Sequence, residues 1–220
     1  MAEELVLYTN PMSRGRIAHY MLEELGQPYR TEILDLKEGQ NKQPEFLKLN
    51  PMGKVPTLLH RGVVITESAA ICAYLADAFP EAGLAPDVKD PARGTYLRWL
   101  FFGAGCLEPA LVDRICARPV PDRPGTLGYG SYNDTMNALE RAVAVGPYIL
   151  GEKFSAADVH IGSEIGWGLM TKSLEPRQAF REYHERITER PAYKRFEAQV
   201  APPSPSPAAP PAPPAAPQPG

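Results

Sequence analysis

The chain is short of the residues that would commit it to several large protein classes. It holds three cysteines in 220 residues, Cys72, Cys106 and Cys116. That is an odd count with no C-x-x-C spacing, which argues against a disulfide framework and for a reducing, cytoplasmic setting. Basic charge is not in excess: 23 Lys and Arg face 26 Asp and Glu, a formal net charge of −3. A duplex-binding surface needs a basic stripe, so nucleic acid is not expected as a partner. No apolar run reaches the ~18 residues of a spanning helix, so no membrane segment is expected. Met1-Ala2-Glu3-Glu4 lacks a basic leader, so no secretory signal is expected. The four histidines, His19, His60, His160 and His184, have no metal-ligand spacing, and no metal is expected. No internal repeat is found.

Proline is what the chain has in plenty, 25 in all. Ten of them fall in 201–220, beside six Ala, two Ser, one Gln and one Gly. Such a segment has nothing to bury, and a disordered or polyproline-like spacer is expected there.

The remaining residues divide in two. Leu5-Val6-Leu7-Tyr8 suits a buried strand, broken by Asn10-Pro11. Ile17, Tyr20, Met21 and Leu25 recur at helical spacing, closed by Gly26. Tyr29, Thr31 and Ile33 alternate as a strand, and Pro44–Leu49 is a short helix opened by proline. Residues 56–60 and 63–65 flank Arg61-Gly62 as a hairpin. Ile71, Tyr74, Leu75 and Ala78 line a helix ending before Pro80. The order is βαβαββα. Residues 81–90 then read as a linker. Beyond them the segments are helical: a stripe of Tyr96, Trp99, Leu100, Gly103 and Leu107, then helices at about 131–145, 155–172 and 178–190. The expected organisation is an α/β domain over 1–80, an all-α domain over 91–200, and the tail.

Four local constellations carry chemistry. Leu7-Tyr8-Thr9-Asn10-Pro11-Met12-Ser13-Arg14 joins the first strand to the first helix, where unpartnered backbone N–H groups favour negative charge. A thiolate is a suitable guest. Lowering a thiol pKa from about 8.5 by two units takes roughly 2.7 kcal/mol, which one hydroxyl and a helix terminus can supply. Ser13 capping its own helix is the structural alternative. In Asn50-Pro51-Met52-Gly53-Lys54-Val55-Pro56, a cis Val55–Pro56 bond would turn the Val55 N–H and C=O outward, towards an extended peptide-like ligand; an ordinary proline at a strand start is the alternative. Thr66-Glu67-Ser68 opens a helix. Ser68 and the terminus suit a carboxylate and Glu67 an amine, together an α-amino acid head group; a plain N-cap is the alternative. Ser155-Ala156-Ala157-Asp158 reads as a capping box, with Phe154 and Val159 as its staple and Asp158 as architecture.

In order and spacing these segments resemble the cytosolic glutathione transferase family over about residues 4–198. The resemblance implies a thioredoxin-like N-terminal domain, an all-helical second domain, a homodimer, and detoxifying transfer of glutathione to an electrophile. Glutathione would be a co-substrate, with no cofactor. It implies that Val55 pairs with the cysteinyl backbone, with Pro56 cis beside it in the glutathione site, that Glu67 and Ser68 hold the γ-glutamyl head, and that Lys54 lies near the glycyl carboxylate. Asn41 and Lys42 fall where serine-class members have Gln-His-Lys, with Asn41 in place of the histidine. Serine-class members place their serine six residues after a strand leucine, which fits Leu7 and Ser13. Tyr8 stands second, as in tyrosine-class members, and Asn10 third. The loop has no cysteine, which argues against mixed-disulfide chemistry. Arg14 would add positive potential. Phe101, Phe102, Cys106 and Leu107, with Trp167 and Met170, are candidates for an apolar electrophile pocket, core or dimer packing being the alternative. A glutathione-dependent disulfide or peroxide reductase, an isomerase, and a glutathione-binding regulatory protein are the rival functions.

Overall fold

In the computed structural model, residues 4–200 are described; the expected spacer at 201–220 lies outside them. The first half runs β1 (Leu5–Thr9), α1 (Gly15–Leu25), β2 (Tyr29–Ile33), α2 (Pro44–Leu49), β3 (Thr57–His60), β4 (Val63–Thr66) and α3 (Ser68–Ala78). The sheet order is β2-β1-β3-β4. β1 pairs parallel with β2 and antiparallel with β3, and β3 pairs antiparallel with β4. This is the thioredoxin-like βαβαββα arrangement that the sequence pattern predicts.

Alternation along β1 explains the layers. Leu5 and Leu7 belong to the main core with Tyr20, Met21 and Leu22 of α1 and with Ile71, Cys72 and Leu75 of α3. Tyr8 points the other way, its ring 5.7 Å from that of Phe46 on α2. α1 ends as its sequence directs: Gly26 takes φ 72° and its N–H returns to the Leu22 carbonyl.

The second half is helical: α4 (Ala92–Phe102), a π-helical segment (Gly103–Leu107), α5 (Glu108–Ile115), α6 (Tyr132–Val143), α7 (Ala156–Met170), α8 (Gln178–Thr188) and α9 (Pro191–Val200). Residues 79–91 join the halves, and Leu84 is buried there with its carbonyl accepting the Ala156 N–H at 2.8 Å. The sequence pattern places α6, α7 and α8 to within a few residues but not α9, which begins at Pro191 as a separate helix.

α7 is the axis of this half, packed against α1, α3, α4 and α8. Its N-terminus is the predicted capping box, with Ser155 and Asp158 exchanging side-chain and backbone bonds. Asp158 does more than cap. Fully buried, it accepts from Ile149 N–H (2.7 Å), Ser155 N–H (2.8 Å), the Ser155 hydroxyl (2.8 Å) and the Tyr183 hydroxyl (2.7 Å).

α9 returns to α1. Arg195 Nε lies 2.8 Å from Glu23, Arg190 lies 2.6 Å from Glu24, Arg16 pairs with Glu197, and His19 lies 3.1 Å from Gln199.

Gly103 opens the π segment because nothing larger fits: a Cβ there would lie 2.4 Å from His160 Nδ1 and 3.2 Å from Ile161 Cδ1. His160 is buried, and burial alone pulls its imidazole down to about 4, so it packs as a neutral ring. Gly103→Ala is expected to cost about 1–3 kcal/mol by overpacking, read as a lower denaturation midpoint. An unchanged midpoint would mean that this helix contact yields without strain.

Candidate functional site

Sheet register brings the three N-terminal constellations to one end of the sheet. Tyr8 stands opposite Thr57, and Thr57 opposite Thr66. The turn after β1, the approach to β3 and the exit of β4 therefore lie side by side. Segments separated by some fifty residues in sequence become neighbours because β3 runs antiparallel to both of its partners.

The turn after β1 is held by its own side chains. Asn10 Nδ2 donates to the Leu34 carbonyl at 2.8 Å, and its Oδ1 accepts the Met12 N–H at 2.8 Å. Ser13 Oγ donates to the Asn10 carbonyl at 2.7 Å and accepts the Gly15 N–H at 3.0 Å. Ser13 is half-buried and precedes Arg14, which occupies the N-cap position without a side-chain cap bond. The Arg14 N–H finds no acceptor among the described residues. A rotatable hydroxyl and a free N–H thus sit together at the positive end of α1. Gly15 is required here, since a Cβ would fall 2.0 Å from Thr9 Oγ1.

Beside this turn the Val55–Pro56 bond is cis. Among the described residues neither the N–H nor the C=O of Val55 has a hydrogen-bond partner. The loop that presents them is braced from below, with Asn50 Nδ2 donating to the Lys54 carbonyl (2.9 Å) and to Thr57 Oγ1 (3.1 Å). Glu67 follows, exposed, with φ 66° and ψ 119°. A side chain in that region costs of order 1–3 kcal/mol and persists where the surroundings demand it. Glu67 is the N-cap residue of α3 and makes no side-chain cap bond, so the first-turn N–H groups at Ser68 stay open. An unpaired strand edge, a carboxylate and an open helix terminus lie in one row.

Comparison with known proteins agrees with this geometry. The profile of the glutathione S-transferase N-terminal domain matches residues 3–77. A sphingomonad glutathione S-transferase, solved in complex with glutathione, superposes with a TM-score of 0.73 at 28% identity, covering 89% of this chain and 98% of that one. The chain is similar over most of its length to glutathione transferases. Two Escherichia coli relatives align over most of both sequences. The disulfide-bond oxidoreductase YfcG of strain K12 is 28% identical over 84% of this chain and 91% of its own length. The glutathione S-transferase GstA of strain O157:H7 is 26% identical over 84% and 93%.

Within this transferase fold the remaining predicted residues take different places. Tyr8 packs on Phe46, and its hydroxyl has no hydrogen bond among the described residues. The Asn10 amide is committed to Leu34. Asn41 Nδ2 donates to the Gly53 carbonyl at 2.7 Å, and Lys42 Nζ donates to the Met52 carbonyl at 2.9 Å. Both brace the Val55 loop from outside. Lys54 is exposed and makes no ion pair among the described residues.

On the helical side the expected pocket set divides. Phe101 is largely in solvent and Phe102 is half-buried against Trp99, their ring centroids 4.9 Å apart. Cys106 is half-buried, its thiol pushed up by burial. Met170 is exposed. Leu107 is fully buried in the core and offers no surface to a ligand, which corrects its assignment to the pocket. It belongs with the buried stripe of Tyr96, Trp99, Leu100 and Gly103, which faces the core.

The sequence pattern does not foresee what Arg14 reaches. Its guanidinium pairs with Glu108 of α5 and lies over Trp167 of α7, 5.7 Å from the ring centroid. It thereby ties the Ser13 turn to the helical half. Glu164, one turn before Trp167, is 3% exposed. Burial, then the nearby Glu108, push its carboxyl up to about 8, while Arg14 pulls it down. Its sequence signal is an acid in the middle of a helix that is otherwise mostly apolar.

Proposed function

We propose that this protein binds glutathione in extended form along the Val55 edge and activates it as a thiolate for attack on a small electrophile. The observation that carries the reading is the convergence, at one end of the sheet, of the Ser13 hydroxyl with the Arg14 N–H, the unpaired Val55 backbone, and the open α3 terminus beside Glu67. Each matches one part of the tripeptide. The Val55 N–H and C=O pair with the cysteinyl backbone as an added strand does. Glu67 takes the ammonium of the γ-glutamyl head, and the Ser68 terminus takes its carboxylate. Lys54 takes the glycyl carboxylate.

Ser13 is the favoured thiolate partner. Tyr8 is turned onto Phe46 and the Asn10 amide is occupied, whereas the Ser13 proton can rotate from the Asn10 carbonyl to the sulfur. The hydroxyl, the Arg14 N–H and the helix end form a donor set prepared before the charge develops. The thiol proton leaves to solvent, the sulfur lone pair forms a C–S bond, and the leaving group departs or the double bond is crossed. Binding both reactants in one cleft supplies the rest.

The likeness to YfcG favours one second reading, reduction of disulfides by glutathione. There the thiolate attacks one sulfur of the substrate, releases the other, and a second glutathione thiolate resolves the mixed disulfide. The loop has no cysteine, so it supplies no protein thiol to the exchange.

The test is calorimetric titration with glutathione, thiolate absorbance of the complex, and turnover of chlorodinitrobenzene beside hydroxyethyl disulfide. Heat and a thiolate signal at neutral pH are expected. Their absence sinks both readings, and the two substrates separate them.

The strained backbone at Glu67 gives a sharper expectation. Glu67→Gly relieves the positive φ, so stability is expected to hold or to rise by up to about 2 kcal/mol. Loss of a charge-assisted contact weakens glutathione binding by about tenfold or more. A variant that binds glutathione as tightly as the parent would remove Glu67 from the head-group site.

A further inference from the structure

Asn41 and Lys42 stand beside the Val55 loop and spend their donors on the protein itself. Asn41 Nδ2 donates to the Gly53 carbonyl at 2.7 Å, and Lys42 Nζ donates to the Met52 carbonyl at 2.9 Å. Two more donors reach the loop from the other side: Asn50 Nδ2 at 2.9 Å and Thr57 Oγ1 at 3.0 Å, both on the Lys54 carbonyl. The three carbonyls that lead up to Val55 are thus all taken. From Met52 onward, Val55 is the first residue with both backbone groups open among the described residues.

The brace has its own footing and a close fit to the loop. Gln40–Lys42 is a single helical turn tied back to the end of β2. The Gln40 N–H donates to the Asp35 carbonyl at 3.0 Å, and Gln40 Oε1 accepts the Asp35 N–H at 2.8 Å. Leu34, one residue earlier, is joined to the Ser13 turn through Asn10 Nδ2, and its N–H reaches the Thr9 carbonyl at 2.9 Å. On the loop side Gly53 takes φ 58°. A Cβ there would lie 2.7 Å from the Asn41 carbonyl oxygen and 2.7 Å from Lys42 Nζ. The two segments close this far because glycine puts no side chain between them.

We propose that Asn41 and Lys42 are positioning residues for glutathione: by holding the Met52 and Gly53 carbonyls they keep the Val55 loop in the form that pairs with the cysteinyl backbone, and they set affinity without touching the ligand. This rests on the glutathione reading, and it gives both positions a role other than direct contact. A loop that holds its binding form only part of the time weakens apparent affinity by that fraction. The brace keeps the fraction near one. Once glutathione is bound, the ligand holds the loop as well, so the chemical step does not depend on the brace. The groups being held are backbone groups. The gain is therefore common to every ligand that pairs with Val55, whatever stands at its glycyl end.

The test titrates glutathione and its glycyl ethyl ester into the parent protein and three variants, with kcat and the KM for glutathione measured on chlorodinitrobenzene. Asn41→Leu removes the donor and Gly53→Ala forces brace and loop apart; neither changes a charge. A carbonyl deprived of its donor shifts such a loop equilibrium about tenfold. Asn41→Leu is therefore expected to weaken glutathione and the ester about tenfold, by one common factor, and Gly53→Ala at least as much. Lys42→Met is read on the ester, where no glycyl carboxylate feels the lost charge. Lys42 is exposed, and a smaller loss of about threefold is expected. In all three, KM should rise with the dissociation constant while kcat stays within about twofold. Parent-like affinity in Asn41→Leu overturns the proposal. So does a loss with glutathione that vanishes with the ester, which makes Asn41 a direct contact of the glycyl carboxylate. So does a fall in kcat at an unchanged dissociation constant. A parent protein that gives no heat with glutathione fails at the first titration, and takes the underlying reading with it.

Discussion

Alanine at Ser13 is expected to lower turnover by about ten- to a thousandfold, the range for losing one preorganised donor to a developing anion. The loss should fall on kcat and on the pKa of the bound thiol, which rises towards its free value of about 8.5. Glutathione affinity should change little, because the Val55 edge and the Glu67 head-group contacts are untouched. The turn itself keeps most of its bonds. Asn10 still accepts from Met12 and donates to Leu34, and the Ser13 N–H still reaches the Asn10 carbonyl at 3.1 Å. Thiolate absorbance against pH in the complex, with single-turnover rates, is the measurement. If Ser13→Ala keeps the parent rate while Tyr8→Phe is inactive, the thiolate partner is Tyr8, and α2 must move to free its ring from Phe46.

The second large effect is on stability. Asp158→Ala removes a carboxylate that accepts four hydrogen bonds in a fully buried position. A helix cap alone is worth about 0.5–2 kcal/mol, the size that the capping-box pattern predicts. The structure adds the Ile149 N–H and the Tyr183 hydroxyl, and each donor left buried and unpaired costs a further 1–3 kcal/mol or so. A total of about 3–5 kcal/mol is expected, a large share of the 5–15 kcal/mol that holds a typical domain. Chemical denaturation of the parent and of the alanine variant measures it. A loss under about 1 kcal/mol would mean that water replaces the carboxylate and that the Tyr183 contact is incidental.

The parts of the fold legible in the sequence are those written in local pattern. The alternation in β1, the proline at the start of α2, the Arg61-Gly62 hairpin and the Ser155–Asp158 box each need fewer than ten residues to specify. The row of candidate site segments is legible for a different reason. Its three segments are short and ordered, and the sheet register that joins Tyr8, Thr57 and Thr66 follows from βαβαββα topology. The illegible parts depend on distance. Leu107 shares its stripe with Tyr96, Trp99 and Leu100, and helical spacing alone does not tell whether a stripe faces the core or a ligand. Arg14 reads locally as a surface charge, and only the packing of α5 and α7 against the first half shows Glu108 and Trp167 within its reach. Glu164 has a signal in the sequence, but its neighbours do not.

The grip of α9 on α1 has a consequence for how the molecule comes apart. Glu23 is nearly buried, and its partners Arg195 and Gln199 come from the last described helix. Glu24 pairs with Arg190, the residue just before that helix. The helix whose start frames Ser13 is thus secured by residues that the ribosome makes more than 160 positions later. During synthesis these contacts to α1 form only after Arg190, Arg195 and Gln199 have emerged.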